Sequence, residues 1–454
     1  MKAPDARRGG DGSDGPLAGA SFYIALGIGL IILFVVPHQI GGDGEFRFQS
    51  LSRFLETGKL ESARYSVVGP LLATPLWFLG KALGYTREVT VFYNVVLFVL
   101  ALVLLSRELE DIASRATRRL VVILLVFASM FPNHVTTFYS EVFTSLAVTL
   151  GIFWLARDKT LGGWAAIVLG AVNTPASVIG VAAIAARMTW RTKRLAHLAA
   201  PIVVFLLTHV ESWIVRGSFF HTGYEGDAGP KTALPYSGLP GFSYPFALGL
   251  MAIFLSFGKG LIFFAPGMFF PPAAGTSERL RWIHRTLLAF GAGLIVVYAR
   301  WWAWYGGSFW GPRFFLVFSI PACIALATNL AEPRNERRAP WRTLLLAFVT
   351  LLSFWVGVNG IIFDQTGLRI CTENGWELEA FCYYVPEMSV LWHPLVDFES
   401  ASYPKTRVLA VFICIVWMLI GVWTARDLLA SLGCSLRERA ATIRTALTDL
   451  LRQR

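Results

Sequence analysis

Residues 20–37 read "ASFYIALGIGLIILFVVP", and residues 41–49 follow three positions later as "GGDGEFRFQ". The first stretch is apolar almost throughout and approaches the ~20 residues that a helix needs to cross a bilayer. The second stretch places Asp43, Glu45 and Arg47 directly beside it. Ionisable groups so close to hydrocarbon are costly and point to function by default. Together the two stretches predict a membrane protein with chemistry at one membrane surface.

The composition of the whole chain extends this prediction. The sequence has 454 residues, of which 55% are hydrophobic and 15% are charged, against roughly 25% charged in soluble domains. A soluble multidomain enzyme could not bury so much apolar surface. We therefore predict an all-α, polytopic membrane protein with about 12 transmembrane helices, some of them short or broken.

Candidate spans after residue 37 recur along the chain. They lie near residues 88–106, 118–135, 141–156, 162–187, 195–214, 258–274, 285–301, 313–331, 342–363 and 407–425. The run at 162–187 contains "GAVNTPAS", in which Asn173 and Pro175 would break a continuous helix. We count it as two short helices that enter and leave on the same side.

The basic residues indicate the orientation. "RELEDIASRATRR" (107–119), "RMTWRTKR" (187–194) and "EPRNERRAPWR" (332–342) fall on one side of the predicted bundle. The positive-inside rule makes that side cytoplasmic and places both termini there, in the inner (plasma) membrane. The net charge of +11 is not arranged as a basic run with interleaved aromatic residues, so we predict no nucleic-acid partner.

Three regions of the chain follow. Residues 1–19 are predicted to be a disordered cytoplasmic N-terminus, and residues 20–425 form the transmembrane domain. Residues 426–454 form a cytoplasmic tail, either an amphipathic basic helix against anionic lipid or a plain solvated helix.

Two extracytoplasmic loops carry local features. Loop 39–87 contains "FQSLSRFLETGKLESARY" (48–65), predicted to be a helix along the membrane surface, and then an interfacial helix interrupted by prolines. Loop 364–406 contains "RICTENGWELEAFCYY" (369–384). Cys371 and Cys382 in this loop are a candidate structural disulfide in an oxidising compartment.

The chain lacks the short motifs of zinc sites, nucleotide-binding loops and hydrolase elbows. What remains is a set of ionisable residues predicted at the outer surface: Asp43, Glu45, Arg47, Glu141, Lys259, Arg300 and Arg313. Carboxylates can act as a general base, and Lys and Arg can hold a phosphate. Transfer of a sugar from a lipid phosphate to an acceptor hydroxyl needs both groups.

Each of these residues also has a purely structural interpretation. Asp43 and Glu45 could form a solvated turn, and Glu141 could cap its span. Lys259 and Arg313 could be interfacial snorkelling residues. Arg300 and Tyr305 lie in "RWWAWYGGSFW", which also fits an interfacial aromatic belt. His134 and His221 could be loop histidines with satisfied hydrogen bonds.

The order of these motifs resembles the GT-C superfamily of membrane glycosyltransferases, which use polyprenyl-phosphate sugars. The acidic "GGDGEFRF" (41–48) follows the first span, and the second span ends at "SRELED" (106–111). Then come "PNHVTTFYSEVFTSL" (132–146) and the broken pair "GAVNTPASVIG" (170–180). "SFGKGLIFFAP" (256–266) and "WWAWYGGSFWGPRFF" (301–315) are similar to motifs of bacterial members.

The resemblance implies roles for individual residues. Asp43 matches the first-loop carboxylate thought to be the catalytic base, and Glu45 is the second choice. Lys259 and Arg313, and less closely Arg300, match contacts to the donor phosphate. The substrate-orienting candidates are Arg47, Glu141, His134 and Tyr305.

Partners implied in the same way are a polyprenyl-phosphate sugar donor, a lipid, glycan or protein acceptor, and membrane lipids. Some relatives require a divalent cation, for which this chain offers no cluster beyond Asp43 and Glu45. A divalent cation is therefore a possible cofactor, and no cofactor is assigned.

Two other functions compete with a glycosyltransferase. A lipid or oligosaccharide transporter or flippase would suit twelve spans and a broken helix pair, although transporters usually keep charges at the bilayer midplane. An O-antigen ligase or polymerase would also present Arg in outer loops, but it needs no first-loop Asp.

Overall fold

The structure is a computed structural model that describes residues 19–60, 64–331, 339–363, 368–398 and 407–452. Within these ranges the chain is mainly helical, and its β pairing consists of isolated bridges, among them Gln39 with Thr137 and Ala228 with Pro240. The all-α prediction is confirmed. The predicted disordered N-terminus before residue 19 lies outside the described residues, as do the ends of loop 364–406.

The helices, in chain order, are α1 Ala20–Val35, α2 Asp43–Thr57, α3 Val68–Leu71, α4 Thr74–Leu83, α5 Thr86–Thr90, α6 Tyr93–Glu108, α7 Arg115–Phe127, α8 Phe131–Val135, α9 Glu141–Ala156, α10 Thr160–Val172, α11 Val178–Thr192, α12 Ala199–Arg216, α13 Phe246–Leu255, α14 Leu261–Phe264, α15 Glu278–Tyr298, α16 Ser319–Leu330, α17 Pro340–Ile362, α18 Glu373–Trp376, α19 Phe381–Tyr384 and α20 Arg407–Arg452. Short 3₁₀ segments join several of them, among them Pro175–Ser177 and Arg313–Phe318.

Many of these helices can cross a membrane. Six are long and apolar enough to do so, counting adjoining helical segments together: Thr86–Glu108, Leu195–Arg216, Glu278–Tyr298, Arg313–Leu330, Pro340–Ile362 and Val408–Gly433. Four shorter apolar helices accompany them: Ala20–Val35, Glu141–Ala156, Thr160–Val172 and Phe246–Leu255. The chain is a multi-pass membrane protein.

The predicted break between α10 and α11 is present. Asp158, just before α10, forms an ion pair with Arg191 near the end of α11 at 3.3 Å, so the two helices enter and leave on the same side. At the other end, Asn173 Nδ2 donates to the carbonyl of Ser140 at 3.1 Å. Ser140 directly precedes α9, and the break therefore lies at the end of the bundle that carries Glu141.

The predicted span at 258–274 is wrong. α13 ends at Leu255, an irregular turn follows, and α14 has only four residues before Pro266. The turn is shaped by close packing, because a Cβ on Gly258 would lie 2.0 Å from the carbonyl oxygen of Cys382. Lys259 consequently sits in this turn and not at the end of a helix.

Two other boundaries differ from expectation. The surface helix of the first loop begins at Asp43 and not at residue 48, which puts both acidic residues in its first turn. The last span continues without interruption into the tail, since α20 runs from Arg407 to Arg452.

A small hydrophobic cluster anchors the first loop. Leu51, Ala73 and Trp77 are buried together, and Trp77 Nε1 donates to Ser52 Oγ at 2.9 Å. The backbone N–H of Gly69 donates to Asn173 Oδ1 at 3.0 Å, which ties the loop to the break between α10 and α11. These contacts hold α2 against the end of the bundle that carries Glu141.

Candidate active site

The glycines of "GGDG" allow the start of α2 to approach the bundle. Gly42 has φ +52°, and a Cβ there would lie 2.5 Å from the ring of Phe309. A Cβ on Gly44 would lie 2.9 Å from the carbonyl oxygen of Phe138. A larger residue at either place would push the helix away. The carboxylates of the first turn also suit the positive end of the helix dipole.

Arg313 joins the first loop to the second half of the chain. Its Nη2 lies 2.5 Å from Asp43 Oδ2, and its Nε donates to the carbonyl of Gly306 at 2.6 Å. Its Nη1 lies 3.6 Å from Glu141 Oε1. The guanidinium is buried, with the ring of Phe309 centred 4.5 Å away. Arg313 is therefore not a snorkelling residue but the centre of a buried ion cluster.

Tyr65 completes the surroundings of Asp43. Its hydroxyl donates to Asp43 Oδ1 at 2.7 Å, and the Arg47 guanidinium lies 4.7 Å from the centre of its ring. Arg47 itself donates to the carbonyl of Ser66 at 3.2 Å. Burial opposes ionisation of Asp43, but the charge of Arg313 and the hydrogen bond from Tyr65 outweigh it and lower the pKa of this carboxyl. Asp43 is thus an ionised carboxylate.

One nitrogen of Arg313 has no hydrogen-bond acceptor. Among the described residues, the buried Nη1 lacks a hydrogen-bond partner, and Glu141 approaches it only at 3.6 Å. A buried charged donor without an acceptor is costly. An anion that supplied an oxygen at this nitrogen would remove that cost, and a phosphate is the anion whose geometry matches guanidinium best.

A cavity lies beside this cluster. It is lined by residues that follow α1, by α8 and the turn after it, by the end of α17 and by the loop before Arg313; Tyr139 and Phe309 are among them. The rings of these two aromatic residues are centred 5.2 Å and 4.5 Å from the guanidinium carbon of Arg313. The same two rings therefore line the cavity and lie beside the guanidinium of Arg313.

Glu45 belongs to a different interaction. Its carboxylate accepts from Arg87 at 2.6 and 3.1 Å and from Gln49 at 2.9 Å. The hydrogen bond from Arg87 lowers the pKa of Glu45. Arg87 also donates to the carbonyl of Ile40 at 2.6 Å, so this pair links the start of the first loop to α5. Of the two candidate bases, Asp43 is the one in contact with Arg313.

Lys259 is turned towards the loop that precedes Arg313. Its buried ammonium donates to the carbonyls of Gly307, Phe309 and Gly311, at 3.1 Å for Gly307 and 3.0 Å for Gly311. These bonds hold the loop that presents Gly306 and Phe309 to Arg313. Contact between Lys259 and a donor phosphate remains a prediction.

The remaining candidates lie around this centre. Arg300 is exposed and donates to the carbonyl of Phe242 at 3.3 Å. His134 is fully buried in α8, and neither ring nitrogen has a hydrogen-bond partner among the described residues; it is not a loop histidine. Tyr305 stacks on Tyr383 with ring centres 4.5 Å apart.

Sequence reasoning did not single out Tyr65 or Glu379. Glu379 is buried and accepts a hydrogen bond from the hydroxyl of Ser308. No pattern in the first loop marks Tyr65, which lies 22 positions from Asp43. A signal for Glu379 did exist, because it is an acidic residue inside the segment bounded by the two cysteines.

The structure pairs Cys371 with Cys382, with Cα atoms 5.9 Å apart. The backbone N–H of Gly258 donates to the carbonyl of Tyr383 at 3.0 Å. The disulfide thus closes the segment that carries Glu379 and packs it against the turn of Lys259.

We expect that replacing both cysteines by serine will lower the free energy of unfolding by about 2–4 kcal/mol, because the reduced segment gains freedom in the unfolded chain. Thermal unfolding in detergent, with and without reductant, measures this. Cys414→Ser is the matched control, since Cys414 is a free cysteine. Equal unfolding temperatures for the double variant and the wild type would contradict the expectation.

The residues present do not suit a divalent cation. Both oxygens of Asp43 are occupied, by Tyr65 and Arg313, and the Glu45 carboxylate is held by Arg87. Among the described residues, no group of three or more His, Cys, Asp or Glu side chains could hold a metal ion. A cation would also have to compete with a neighbouring Arg charge at each carboxylate. We therefore derive no step through a metal.

Fold and site define a polytopic, all-helical membrane protein with a buried arginine–carboxylate cluster at one end of its helices. The chain is similar to a crystal structure of ArnT from Cupriavidus metallidurans bound to undecaprenyl phosphate, with 15% identity and a TM-score of 0.48 over 90% of this chain and 78% of that one. A crystal structure of ArnT from the same organism in the apo state has 13% identity to this chain and a TM-score of 0.47, over 90% of this chain and 76% of that one.

No protein-family profile matches the chain, and no curated protein matches it.

Proposed function

We propose that this protein is an inverting membrane glycosyltransferase that moves a sugar from a polyprenyl-phosphate donor to an acceptor hydroxyl. The contact between Asp43 and Arg313 is the observation that carries the proposal. It places a carboxylate that can accept a proton beside a cation that can hold a phosphate. The end of the bundle that carries both residues would face the extracytoplasmic side, as the distribution of Lys and Arg favours.

The proposed reaction is a single displacement. Asp43 takes the proton of the acceptor hydroxyl while the hydroxyl oxygen attacks the anomeric carbon. The bond between that carbon and the phosphate oxygen breaks, and its electron pair leaves with the lipid phosphate. Arg313 stabilises the added negative charge, and one in-line attack inverts the anomeric centre.

Arg313 would also control the basicity of Asp43. While it pairs with Asp43, its charge keeps the carboxyl pKa low, which makes Asp43 a weak base. A donor phosphate that binds Nη1 and Nη2 would share the guanidinium and weaken its hold on Asp43. The pKa of Asp43 would then rise towards the operating pH, where a general base is most effective. Donor binding would in this way prepare the base.

The test is an assay of the purified full-length chain in liposomes. The donors are undecaprenyl phosphate carrying radiolabelled glucose, mannose or arabinopyranose and, in parallel, an undecaprenyl-diphosphate-linked radiolabelled glycan; membranes of the expression host supply acceptors. We expect label to move covalently to an acceptor with inversion of the anomeric centre. Label that only crosses the bilayer would indicate a transporter, and use of diphosphate-linked glycans alone would indicate a ligase; either result would overturn the proposal.

A further inference from the structure

A second cavity lies beside the loop that precedes Arg313. It is bounded by residues 230–244, 302–305 and 379–383, and six aromatic side chains line it: Tyr236, Tyr244, Trp302, Trp304, Tyr305 and Tyr383. One carboxylate, Glu379, also faces it. Such a wall offers apolar ring faces together with a single charged acceptor.

Glu379 is held in this wall at a defined position. It is only 2% exposed, and the hydroxyl of Ser308 donates to its Oε1. Burial and the negative charge of Glu379 raise the pKa of Tyr305 and of Tyr383 well above the usual value, so both remain neutral phenols. Lys259 Nζ lies 5.5 Å from the ring centre of Tyr383; burial lowers the pKa of Lys259 well below its usual value, and the negative charge of Glu379 opposes this shift.

This arrangement matches the chemistry of a sugar ring. The C–H faces of a pyranose are apolar and pack on aromatic rings, while its hydroxyls donate hydrogen bonds around the rim. A carboxylate accepts such hydrogen bonds more strongly than a neutral group does. Pockets of this type, largely aromatic with a few placed polar groups, are typical small-molecule sites.

The cavity is connected to Arg313 through one short loop. Tyr305 lines the cavity, and the next residue, Gly306, accepts the hydrogen bond from Arg313 Nε at 2.6 Å. Ser308, which holds Glu379, belongs to the same loop. A sugar in the cavity would therefore lie one loop away from the cation proposed to hold the phosphate.

We propose that this cavity binds the pyranose ring of a sugar substrate, with Glu379 accepting hydrogen bonds from its hydroxyls. The proposal rests on the sugar-transfer function above and adds a binding residue to it. The ring can belong to the donor or to a glycan acceptor, because both present the same faces and hydroxyls. Closure of segment 371–382 by the disulfide keeps Glu379 in place for either source.

The experiment compares Glu379→Gln with Glu373→Gln, a matched control because Glu373 is an exposed carboxylate in the same cysteine-bounded segment. We expect Glu379→Gln to raise KM for one sugar substrate roughly tenfold or more, the effect of weakening a hydrogen bond to a charged group, with a smaller change in kcat. The control is expected to match the wild type. A rise in the donor KM assigns the cavity to the donor sugar, and a rise in the acceptor KM assigns it to the acceptor.

A direct binding measurement keeps this inference separate from the proposed function. Saturation-transfer NMR with methyl glucoside, methyl mannoside and methyl arabinopyranoside reports binding without any transfer. We expect a signal that weakens in Glu379→Gln and in Tyr305→Phe, which removes one hydroxyl and keeps the ring. If the enzyme transfers sugar and both variants keep the wild-type KM values and NMR signals, the inference about the cavity is overturned and the proposed function stands. If the wild-type protein binds the glycosides but transfers no sugar, only the proposed function is overturned.

Discussion

Asp43→Asn is expected to reduce sugar transfer by roughly 100- to 10,000-fold, the usual contribution of a general base. The amide has nearly the shape of the carboxylate but cannot accept the proton of the acceptor hydroxyl. It also carries no charge to pair with Arg313, which lies 2.5 Å from Asp43 in the structure. The measurement is the rate of label transfer from undecaprenyl-phosphate sugars in liposomes, at donor concentrations well above KM.

Glu45→Gln is the matched control for Asp43→Asn, because the two carboxylates are separated by one residue in the first turn of α2. Glu45 pairs with the partly exposed Arg87, and such surface pairs contribute about 0–1 kcal/mol. We expect Glu45→Gln to transfer sugar at close to the wild-type rate. If Glu45→Gln were inactive and Asp43→Asn active, Glu45 would be the base.

Arg313→Ala is expected to lose both transfer and stability. Its removal leaves Asp43 and Glu141, which are 20% and 12% exposed, without their cation. Breaking a buried ion pair in this way costs about 3–5 kcal/mol. The same substitution removes the group proposed to stabilise the leaving phosphate, so we expect transfer to fall by at least ~100-fold.

Arg313→Lys separates these two effects. Lysine keeps the positive charge, but its single ammonium cannot reproduce the fork that contacts Asp43, Glu141 and Gly306. We expect it to recover part of the unfolding temperature and little of the transfer rate. The control is Arg107→Ala, because Arg107 is exposed and lies near the C-terminal end of α6. An Arg313→Lys variant as active as the wild type would contradict the role of the guanidinium.

Local sequence determined most of the helical architecture. The span at 141–156 has the same limits in the structure as in the hydrophobic pattern, and the break at Asn173 and Pro175 lies where these residues predicted it. Both features depend on neighbouring residues, because transfer of an apolar run into a bilayer and the loss of a backbone donor at proline are local effects. The irregular turn around Lys259 was missed because its shape depends on Cys382, which is remote in sequence.

The composition and charge pattern also predicted the types of side chain at the site, a carboxylate and a cation near the membrane surface. The composition and charge pattern could not indicate which of these side chains contact each other. Asp43 and Arg313 are 270 positions apart, and Glu45, only two residues from Asp43, turns to Arg87 instead. No motif marked Tyr65, and the only signal for Glu379 was its place between Cys371 and Cys382. Only the packing of the helices brings such residues within hydrogen-bond distance, because side-chain pairing across the bundle depends on the tertiary arrangement and not on local sequence.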